Sequence, residues 1–311
     1  MADWDRFMEL SLEVAEALAQ RRPLVLMESA FVSHGLPAEI AVQTAEDMSA
    51  EAADEGALPA ATAVLDGRIV IGAASDVLRP LTAGDAVKVA ERDLATAVAL
   101  RQTGGTTVSA TVAIASLLGA PVVATGGIGG VHLGAEQTWD VSADLSALAS
   151  HPIIVVCAGA KAICDIPKTL EFLETAGVTV VGFRTDRFPY FLAADSGSLV
   201  PRRVDSPEDA AGILAAKQAL GQRTGLVVAN PVPAPAALDR SVVTGAVTRA
   251  RREAGAAGTI GADVTPFLLA ALASITDGAS LRANVALLRA NARLAARIAV
   301  ALSVRGGTSS A

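Results

Sequence analysis

Aromatic residues and cysteines are scarce in this chain of 311 residues. Only 3% of the residues are aromatic, which is too few for the stacking platforms that bind single-stranded nucleic acid. The two cysteines, Cys157 and Cys164, form no CxxC motif, so they cannot build a disulfide framework, and two thiols in so long a chain suit a reducing compartment. We therefore predict a cytoplasmic protein, and we expect both cysteines to be small core residues.

Positive charge and long apolar runs are lacking as well. The 32 Asp and Glu exceed the 25 Lys and Arg, and such an acidic balance argues against binding to a nucleic-acid backbone. Apolar runs such as 153–160 are far shorter than the ~18 residues of a membrane-spanning helix, and the acidic N-terminus is unlike a signal peptide. We expect neither a nucleic acid nor a membrane as a partner.

Apolar residues are plentiful and follow a strand–helix rhythm. Hydrophobic residues make up 52% of the chain and charged residues 18%, which excludes a disordered protein. Short apolar runs predict strands, and helical periodicity between them predicts helices. Strands are predicted at 24–27, 61–65, 68–71, 121–124, 153–156, 178–183 and 226–229. Helices are predicted at 9–20, 37–56, 106–118, 142–149, 166–176, 205–221, 236–254, 266–275 and 281–303.

This alternation predicts the fold class. Alternating strands and helices build an α/β protein, here a single three-layer α/β/α domain with a central, mostly parallel or mixed sheet. We predict one catalytic domain over residues 1–304 and a flexible C-terminal tail over 305–311. Because ligands bind beyond the carboxyl ends of parallel strands, the polar residues that follow the strands are the candidates for a site.

Familiar catalytic and cofactor motifs are absent from the sequence. A GxGxxG count that begins at Gly127 ends on His132 in place of the last glycine, so the dinucleotide fingerprint fails. There is no P-loop, no GxSxG motif and no HExxH motif, and the three histidines lie far apart, which argues against a zinc site. The common hydrolase and dehydrogenase templates are therefore rejected.

Two residues at strand ends could carry chemistry. Lys161 follows the apolar run 153–160, where dry surroundings would destabilise the ammonium form and favour a nucleophilic amine. The alternative is an ordinary lysine that extends from the strand end into solvent. Glu28 directly follows the strand at 24–27, so it could be a general acid or base with a raised pKa, or it could simply cap a loop or helix.

Other polar residues suggest ligand contacts, each with an ordinary alternative. Thr125 and the glycines after it, like the segment 104–107, offer main-chain N–H groups and hydroxyls to an anion. Asp140 could bind a divalent cation through its carboxylate, although the segment 140–144 also fits the capped start of a helix. Asn284, in a long apolar helix, could hydrogen-bond a polar ring or be a buried structural amide.

Taken together, these segments resemble the pseudouridine-5′-phosphate glycosidase family, also called the indigoidine synthase A-like family. The resemblance extends over about residues 24–302 and is most specific in ATGGIGGVH (124–132) and CAGAK (157–161). Shorter matching stretches follow in the family order at 28–29, 33–35, 142–145, 204–207, 230–231, 265–269 and 284.

The resemblance implies an activity and a set of site residues. It implies cleavage, or reverse formation, of the carbon–carbon bond between uracil and ribose 5-phosphate, with one divalent metal ion, typically manganese, in each subunit of a homotrimer. By the family pattern, Lys161 would be the nucleophile that forms an imine with C1′ of the sugar, Glu28 the proton donor and Asp140 the metal ligand. The same pattern implies substrate contacts at Lys88, Val108, Thr125, His132, Ser142, Ala143, Asp144 and Asn284.

The sequence departs from the family pattern at two places. Leu133 stands where a basic residue is expected, and the segment 193–197 is less basic than its counterpart. If either place contacts the phosphate or the base, the enzyme could be a C-glycosynthase that joins ribose 5-phosphate to another aromatic acceptor. A non-catalytic nucleotide-binding or scaffold protein that kept the fold is disfavoured, because Lys161, Glu28 and Asp140 occur together.

Overall fold

The computed structural model describes residues 3–72, 78–257 and 264–308. Within these ranges the strands join into one mixed sheet of eleven strands. The strands are β1 (Met8–Leu10), β2 (Leu24–Met27), β3 (Leu58–Leu65), β4 (Arg68–Ile71), β5 (Val87–Val89), β6 (Gly104–Thr106), β7 (Val122–Ala124), β8 (Ile154–Cys157), β9 (Thr179–Phe183), β10 (Arg202–Val204) and β11 (Leu226–Ala229). The α-helices are α1 (Leu12–Ala19), α2 (Ala30–His34), α3 (Ala38–Asp54), α4 (Leu94–Ala99), α5 (Val108–Leu118), α6 (Ala135–Thr138), α7 (Ala143–Ser150), α8 (Ile166–Thr175), α9 (Pro207–Ala219), α10 (Arg240–Ala256), α11 (Val264–Ile275) and α12 (Ala279–Thr308).

The sheet has a parallel centre and a mixed edge. Across the centre the order is β3-β2-β7-β8-β11-β9-β10, and each neighbouring pair in it is parallel. At the other edge β3 pairs with β4 and β6 in antiparallel register, while β1 joins β4 and β5 joins β6 as parallel partners. The prediction of a mostly parallel or mixed central sheet is confirmed.

Helices cover both faces of the central strands. The strands β2, β7, β8 and β11 are buried along their whole length, as expected for parallel strands between two helical layers. In one group α3 and α9 pack against α12, which lies on β2, β7 and β8. In a second group α7 packs against α5 and α8, and α5 lies on β2 and β7. This is the three-layer α/β/α arrangement that the sequence predicts.

Local capping signals fix several helix ends. α9 begins after Ser206, whose hydroxyl accepts the Asp209 N–H while the Asp209 carboxylate accepts the Ser206 N–H, and Pro207 occupies its first turn. α5 ends at Gly119, which adopts the left-handed conformation with φ 69°. These boundaries lie within about two residues of the predicted ones because the signals are local.

Two predicted helix starts are wrong. Residues 9 and 10, which the periodicity assigns to a helix, belong to β1 because they pair with Val70 and Ile71 of β4. Residue 106, the predicted start of another helix, belongs to β6, which lies between β3 and β5. In both cases pairing with a distant strand outweighs the local pattern.

The last helix continues into the segment for which we predict a flexible tail. α12 runs to Thr308, and the Arg305 side chain donates a hydrogen bond to the Glu208 carbonyl oxygen (3.3 Å). Residues 309–311 lie outside the described ranges. None of the helices in the described ranges combines the length and the apolar character needed to cross a bilayer.

Candidate active site

A polar pocket lies where several strands and helices end. Its cavity measures about 280 Å³ and is bordered by the residues after β2 and β8, by β5, and by the first turns of α5 and α7. Distant parts of the chain therefore contribute to one site, as is typical of open α/β sheets. The pocket brings together nine of the residues that the family resemblance implies: Glu28, Lys88, Val108, His132, Asp140, Ser142, Ala143, Asp144 and Lys161.

Glu28 is a buried carboxyl group with one occupied and one open oxygen. Its side chain is held by Thr125, whose hydroxyl donates to Oε1 (3.1 Å). Oε2 is buried and has no hydrogen-bond partner among the described residues. Burial raises the pKa of Glu28, although the positive charge of Lys161 and the Thr125 hydrogen bond act in the opposite direction. Glu28 is therefore suited to hold a proton and to deliver it from Oε2.

The main chain around Lys161 is fixed by hydrogen bonds. Its N–H donates to the Ile128 carbonyl (2.9 Å), and its own carbonyl accepts the Cys164 N–H (2.9 Å). Gly159 has φ +76°, and a Cβ there would overlap the Pro189 carbonyl oxygen, so this turn requires glycine. The Lys161 side chain is partly buried and lines the pocket. The turn thus presents a primary amine whose charge acts on Glu28.

Two helix N-termini border the same pocket. α5 begins at Val108 and α7 at Ala143, directly after its cap residue Ser142. N–H groups in a first helical turn have no partner inside the helix and attract anions. Lys88 of β5 adds an amine to this wall, and burial together with the positive charge of Lys161 lowers its pKa. This arrangement is suited to a phosphate group.

Asp144 connects the two helix starts. Its Oδ1 accepts the Ser109 N–H (2.9 Å) and its Oδ2 accepts the Gly129 N–H (2.8 Å). The side chain is buried, with 5% exposed, and its own N–H donates to the Ser142 hydroxyl (3.2 Å). Asp144 thus fixes the pocket wall through main-chain hydrogen bonds, a role that the sequence does not reveal.

His132 and Asp140 form a pair at the pocket. Nδ1 of the His132 ring lies 3.1 Å from Oδ2 of Asp140. The main-chain N–H of His132 donates to the main-chain carbonyl of Asp140 (3.0 Å). The histidine ring is mostly buried, while 47% of the Asp140 side chain is exposed. Burial lowers the pKa of His132, and the negative charge of Asp140 opposes that shift. The pair therefore offers an imidazole whose neutral form is favoured, beside a carboxylate that is half exposed.

The donor set in the pocket fits a metal ion that keeps most of its water. The described residues contain no cluster of three or more His, Cys, Asp or Glu side chains arranged to hold a metal. Among the pocket carboxylates, Glu28 is buried, Asp144 accepts two main-chain N–H groups, and Asp93 accepts one and pairs with Arg92. Asp140 is the remaining pocket acid, and 47% of its side chain is exposed. One carboxylate together with water and substrate oxygens suits a hard divalent ion such as Mg²⁺ or Mn²⁺.

Two predicted substrate contacts lie outside this pocket wall. Thr125 is fully buried behind Glu28 and donates its hydroxyl to that side chain. Asn284 borders a different cavity of about 400 Å³, whose other lining residues are mostly apolar and include Phe191. Asn284 lies beside the glycine turn that follows β7, because a Cβ on Gly126 would lie 3.5 Å from Oδ1 of Asn284.

The pocket also contains residues that no sequence motif singles out. Arg92 and Asp93 follow β5 and reach the pocket, and Ser109 lies in the first turn of α5. Asp93 accepts the Ala90 N–H (3.1 Å) in a capping interaction. The acid at position 93, three residues after Ala90, is a local signal for this turn. The strand β5 before it has only three residues, too few to show an alternating hydrophobic pattern.

Comparison with known proteins confirms the family resemblance. The family model described as "Indigoidine synthase A like protein" matches residues 13–301. A protein of Caldanaerobacter subterraneus subsp. tengcongensis named pseudouridine-5′-phosphate glycosidase is 46% identical over 300 residues, which cover 96% of this chain and 98% of that protein.

Two solved structures share the fold over nearly the whole chain. An indigoidine synthase A-like protein from Thermotoga maritima superposes with a TM-score of 0.87 and 35% identity, covering 96% of this chain and 97% of that one. The prealnumycin C-glycosynthase AlnA, solved in complex with ribulose 5-phosphate, gives a TM-score of 0.89 and 33% identity, covering 98% and 99%. Sequence, fold and pocket therefore agree, and the chain belongs to the indigoidine synthase A-like family.

Proposed function

We propose that this chain is a pseudouridine-5′-phosphate glycosidase, which reversibly cleaves the bond between C5 of uracil and C1′ of ribose 5-phosphate. The observation that carries the proposal is the convergence of Glu28 and Lys161 in one pocket with two helix N-termini and Lys88. Relatives that share 46% identity and bear this name support it. The sugar phosphate bound to AlnA supports a phosphorylated sugar as the ligand class.

The proposed reaction needs an amine because the bond to be broken has no leaving oxygen. Glycosidases that cleave C–O bonds protonate such an oxygen. The reactive form of Lys161 is the free amine: its Nζ bonds to C1′ while Glu28 gives its proton to the ring oxygen O4′, which opens the sugar ring. The Glu28 carboxylate then takes a proton from the nitrogen that is now bound to C1′.

The second half of the proposed reaction cleaves the carbon–carbon bond. Glu28 passes its proton to C5 of uracil, and the C1′–C5 electron pair becomes the new C5–H bond. The lone pair of the Lys161 nitrogen forms the C1′=N bond of a protonated imine. Water hydrolyses the protonated imine, which releases ribose 5-phosphate and restores the amine, and the proton set free returns Glu28 to its acid form. The reverse sequence makes the bond.

We propose that the phosphate group binds at the first turns of α5 and α7. Val108, Ser142 and Ala143 would offer main-chain N–H groups or a hydroxyl, and Lys88 a positive charge. Asp144 would act by holding both turns in register through its two hydrogen bonds. Binding at the phosphate, remote from C1′, would hold the reacting carbon against the amine.

Three further residues keep predicted roles of different kinds. His132 lines the pocket and stays a predicted substrate contact. Thr125 would act through Glu28, which it holds by a hydrogen bond. Asn284, which borders the second cavity, stays a predicted contact of the base or the ribose.

We propose that Asp140 holds one divalent ion, which the family pattern gives as manganese. Its exposed carboxylate beside His132 is the donor that fits. When bound, such an ion would supply positive charge and ordered water at the pocket.

We also propose that the chain forms a homotrimer and works in the cytoplasm. The family pattern supports the trimer, and two buried free thiols suit a reducing compartment. Light scattering of the purified protein should return three times the chain mass of 31.4 kDa. A monomer or dimer at micromolar concentration would contradict the trimer.

Release of uracil from pseudouridine 5′-phosphate tests the proposed activity. With Mn²⁺ present, wild-type protein should release uracil and ribose 5-phosphate in equal amounts, and Lys161→Ala should release none. Lys168→Ala, which removes an exposed lysine of α8, should keep full activity. Absence of turnover by the wild type in both directions would contradict the proposal.

A C-glycosynthase is the second candidate, and two observations favour it. AlnA is similar over nearly the whole chain, and Leu133 departs from the family pattern while its carbonyl is held by Arg251 of α10 (2.8 Å). The C-glycosynthase hypothesis predicts that ribose 5-phosphate forms an adduct at Lys161 but that uracil is not joined to the sugar. Incubation with a panel of aromatic acceptors would then yield a C–C-linked product.

A further inference from the structure

Asn291 is a buried amide on α12 with three hydrogen bonds. Its side chain is completely buried. Nδ2 donates to the Thr125 carbonyl (2.8 Å) and to the Gly126 carbonyl (3.3 Å). Oδ1 accepts from Nδ2 of Asn230, which follows β11 (3.0 Å). The amide therefore connects α12 with the residues that follow two central strands.

The main chain that Asn291 contacts is held from the sheet side as well. The Thr125 N–H donates to the Val156 carbonyl (3.0 Å), and the Gly126 carbonyl accepts the Ala158 N–H (2.8 Å). The Thr125 carbonyl, in contrast, has the Asn291 amide as its donor. Removing that amide leaves a buried carbonyl without its partner, which is costly in a protein interior.

Thr125 connects this fixed main chain with Glu28. Its hydroxyl donates to Oε1 of Glu28 (3.1 Å), so Oε1 is an acceptor and the proton of the neutral acid belongs on Oε2. Oε2 is the oxygen that has no partner among the described residues. The Thr125 hydroxyl, which the Thr125 main chain carries into place, thus selects the carboxyl oxygen that bears the proton.

We infer that Asn291 is a positioning residue for the reaction: it fixes the Thr125 main chain, and Thr125 in turn orients the proton-bearing oxygen of Glu28. The reaction meant is the proposed C–C bond cleavage, on which this inference rests. Asn291 itself does not line the pocket, so its effect on chemistry passes through Thr125. Asn230 holds the Asn291 amide in its orientation and therefore acts through Asn291.

The ionisation of Glu28 reports this chain of contacts. The charged groups that act on it are Lys161, Asp144 and Lys88, and none of these is altered by a change at position 291. The Thr125 hydrogen bond stabilises the carboxylate form, so its loss should raise the pKa of Glu28 further. A role of Asn291 in stability alone would lower the melting temperature and leave this titration in place.

The test follows the Glu28 carboxyl by ¹³C NMR in protein labelled at glutamate Cδ, with the signal assigned from its absence in Glu28→Gln. Thr125→Val should move the titration upward by about one pH unit, the equivalent of one hydrogen bond to a carboxylate. Asn291→Leu should move it upward by about half a unit or more and lower kcat/KM about tenfold. The double variant should equal Thr125→Val alone.

A matched control separates positioning from stability. Thr44→Val removes a buried hydroxyl of α3 that bonds the Ile40 carbonyl, so it should lower stability without moving the Glu28 titration. If Asn291→Leu does not fold, the Asn230→Ala variant is measured in its place. It should move the Glu28 titration upward by a smaller amount. A Glu28 titration that stays at the wild-type position in the folded variant would overturn the inference.

The NMR titration requires no substrate, so failure of the inference and failure of the proposed function are distinguishable. Wild-type protein that neither releases nor incorporates uracil overturns the proposed function, whatever the titration shows. Wild-type turnover with an unshifted Glu28 titration in Asn291→Leu overturns the positioning role alone. Shifted titration and lowered kcat/KM together support it.

Discussion

The Asp144 carboxylate accepts the Ser109 main-chain N–H at 2.9 Å, so a residue in the first turn of α7 holds the first turn of α5. The second oxygen of the same carboxylate holds Gly129. Three segments that are distant in the sequence therefore meet at one buried acid. These segments border the proposed phosphate end of the pocket, so the geometry of that end depends on Asp144.

Replacing Asp144 with asparagine should impair both stability and phosphate binding. The amide keeps one acceptor and faces one N–H with another donor, so we expect a loss of about 1–3 kcal/mol in the free energy of unfolding. The two helix starts should separate, and kcat/KM should fall about tenfold or more. Chemical denaturation and uracil-release kinetics measure the two effects.

Asp209→Asn is the matched control for this variant. Asp209 also accepts main-chain N–H groups at a helix start, but on α9 and far along the chain from the pocket residues. We expect it to lower stability without changing kcat/KM. Normal kcat/KM in Asp144→Asn would contradict the role assigned to Asp144.

The Glu28→Gln variant should lose activity. Its stability relative to the wild type should increase as the pH rises. Burial raises the pKa of Glu28 in the folded protein above that in the unfolded chain, so the folded state binds this proton more tightly. The contribution of Glu28 to stability is therefore fully present below the unfolded pKa and is lost as the pH rises through the folded pKa. Glutamine stays neutral and avoids this loss.

Melting temperatures across the pH range measure this effect. The difference between Glu28→Gln and wild type should grow in favour of the variant with rising pH, while turnover falls at least about a hundredfold. Glu174→Gln, which changes an exposed glutamate of α8, should show neither effect. A constant difference in melting temperature would mean that Glu28 is not a buried acid with a raised pKa.

Metal binding should depend on Asp140. Asp140→Asn removes the charged oxygen that pairs with His132, so Mn²⁺ affinity should fall at least about tenfold. The electron paramagnetic resonance signal of free Mn²⁺ measures binding without reference to activity. Glu136→Gln, at an exposed residue of α6, is the control. Equal Mn²⁺ binding by Asp140→Asn and wild type would place the ion elsewhere.

The sequence predicts those parts of the fold and pocket that depend on local signals. Continuous apolar runs predict β2 and β8 because strands buried on both faces need apolar side chains throughout. Glu28 and Lys161 are predicted from their positions after these strands, and the structure brings both into one pocket. Their proposed roles come from the family pattern.

Features made by long-range pairing are not predictable in this way. β5 and β6 have three residues each and are defined by their mutual pairing, in which Lys88 lies opposite Gly105. The Asp144 hydrogen bonds join residues 35 and 15 positions apart. In the sequence, Asn291 looks like any polar residue in a helical pattern. Its role depends on the hydrogen bond to Thr125, which only the structure shows.

In the proposed reaction, the Lys161 amine bonds to C1′ of the sugar. Borohydride reduction in the presence of ribose 5-phosphate, followed by peptide mass analysis, tests it most directly. We predict that wild-type protein carries one reduced sugar-phosphate adduct per chain, on the peptide that contains Lys161, and that Lys161→Ala carries none. An adduct of the same mass in Lys161→Ala, or none in active wild-type protein, would mean that Lys161 is not the nucleophile.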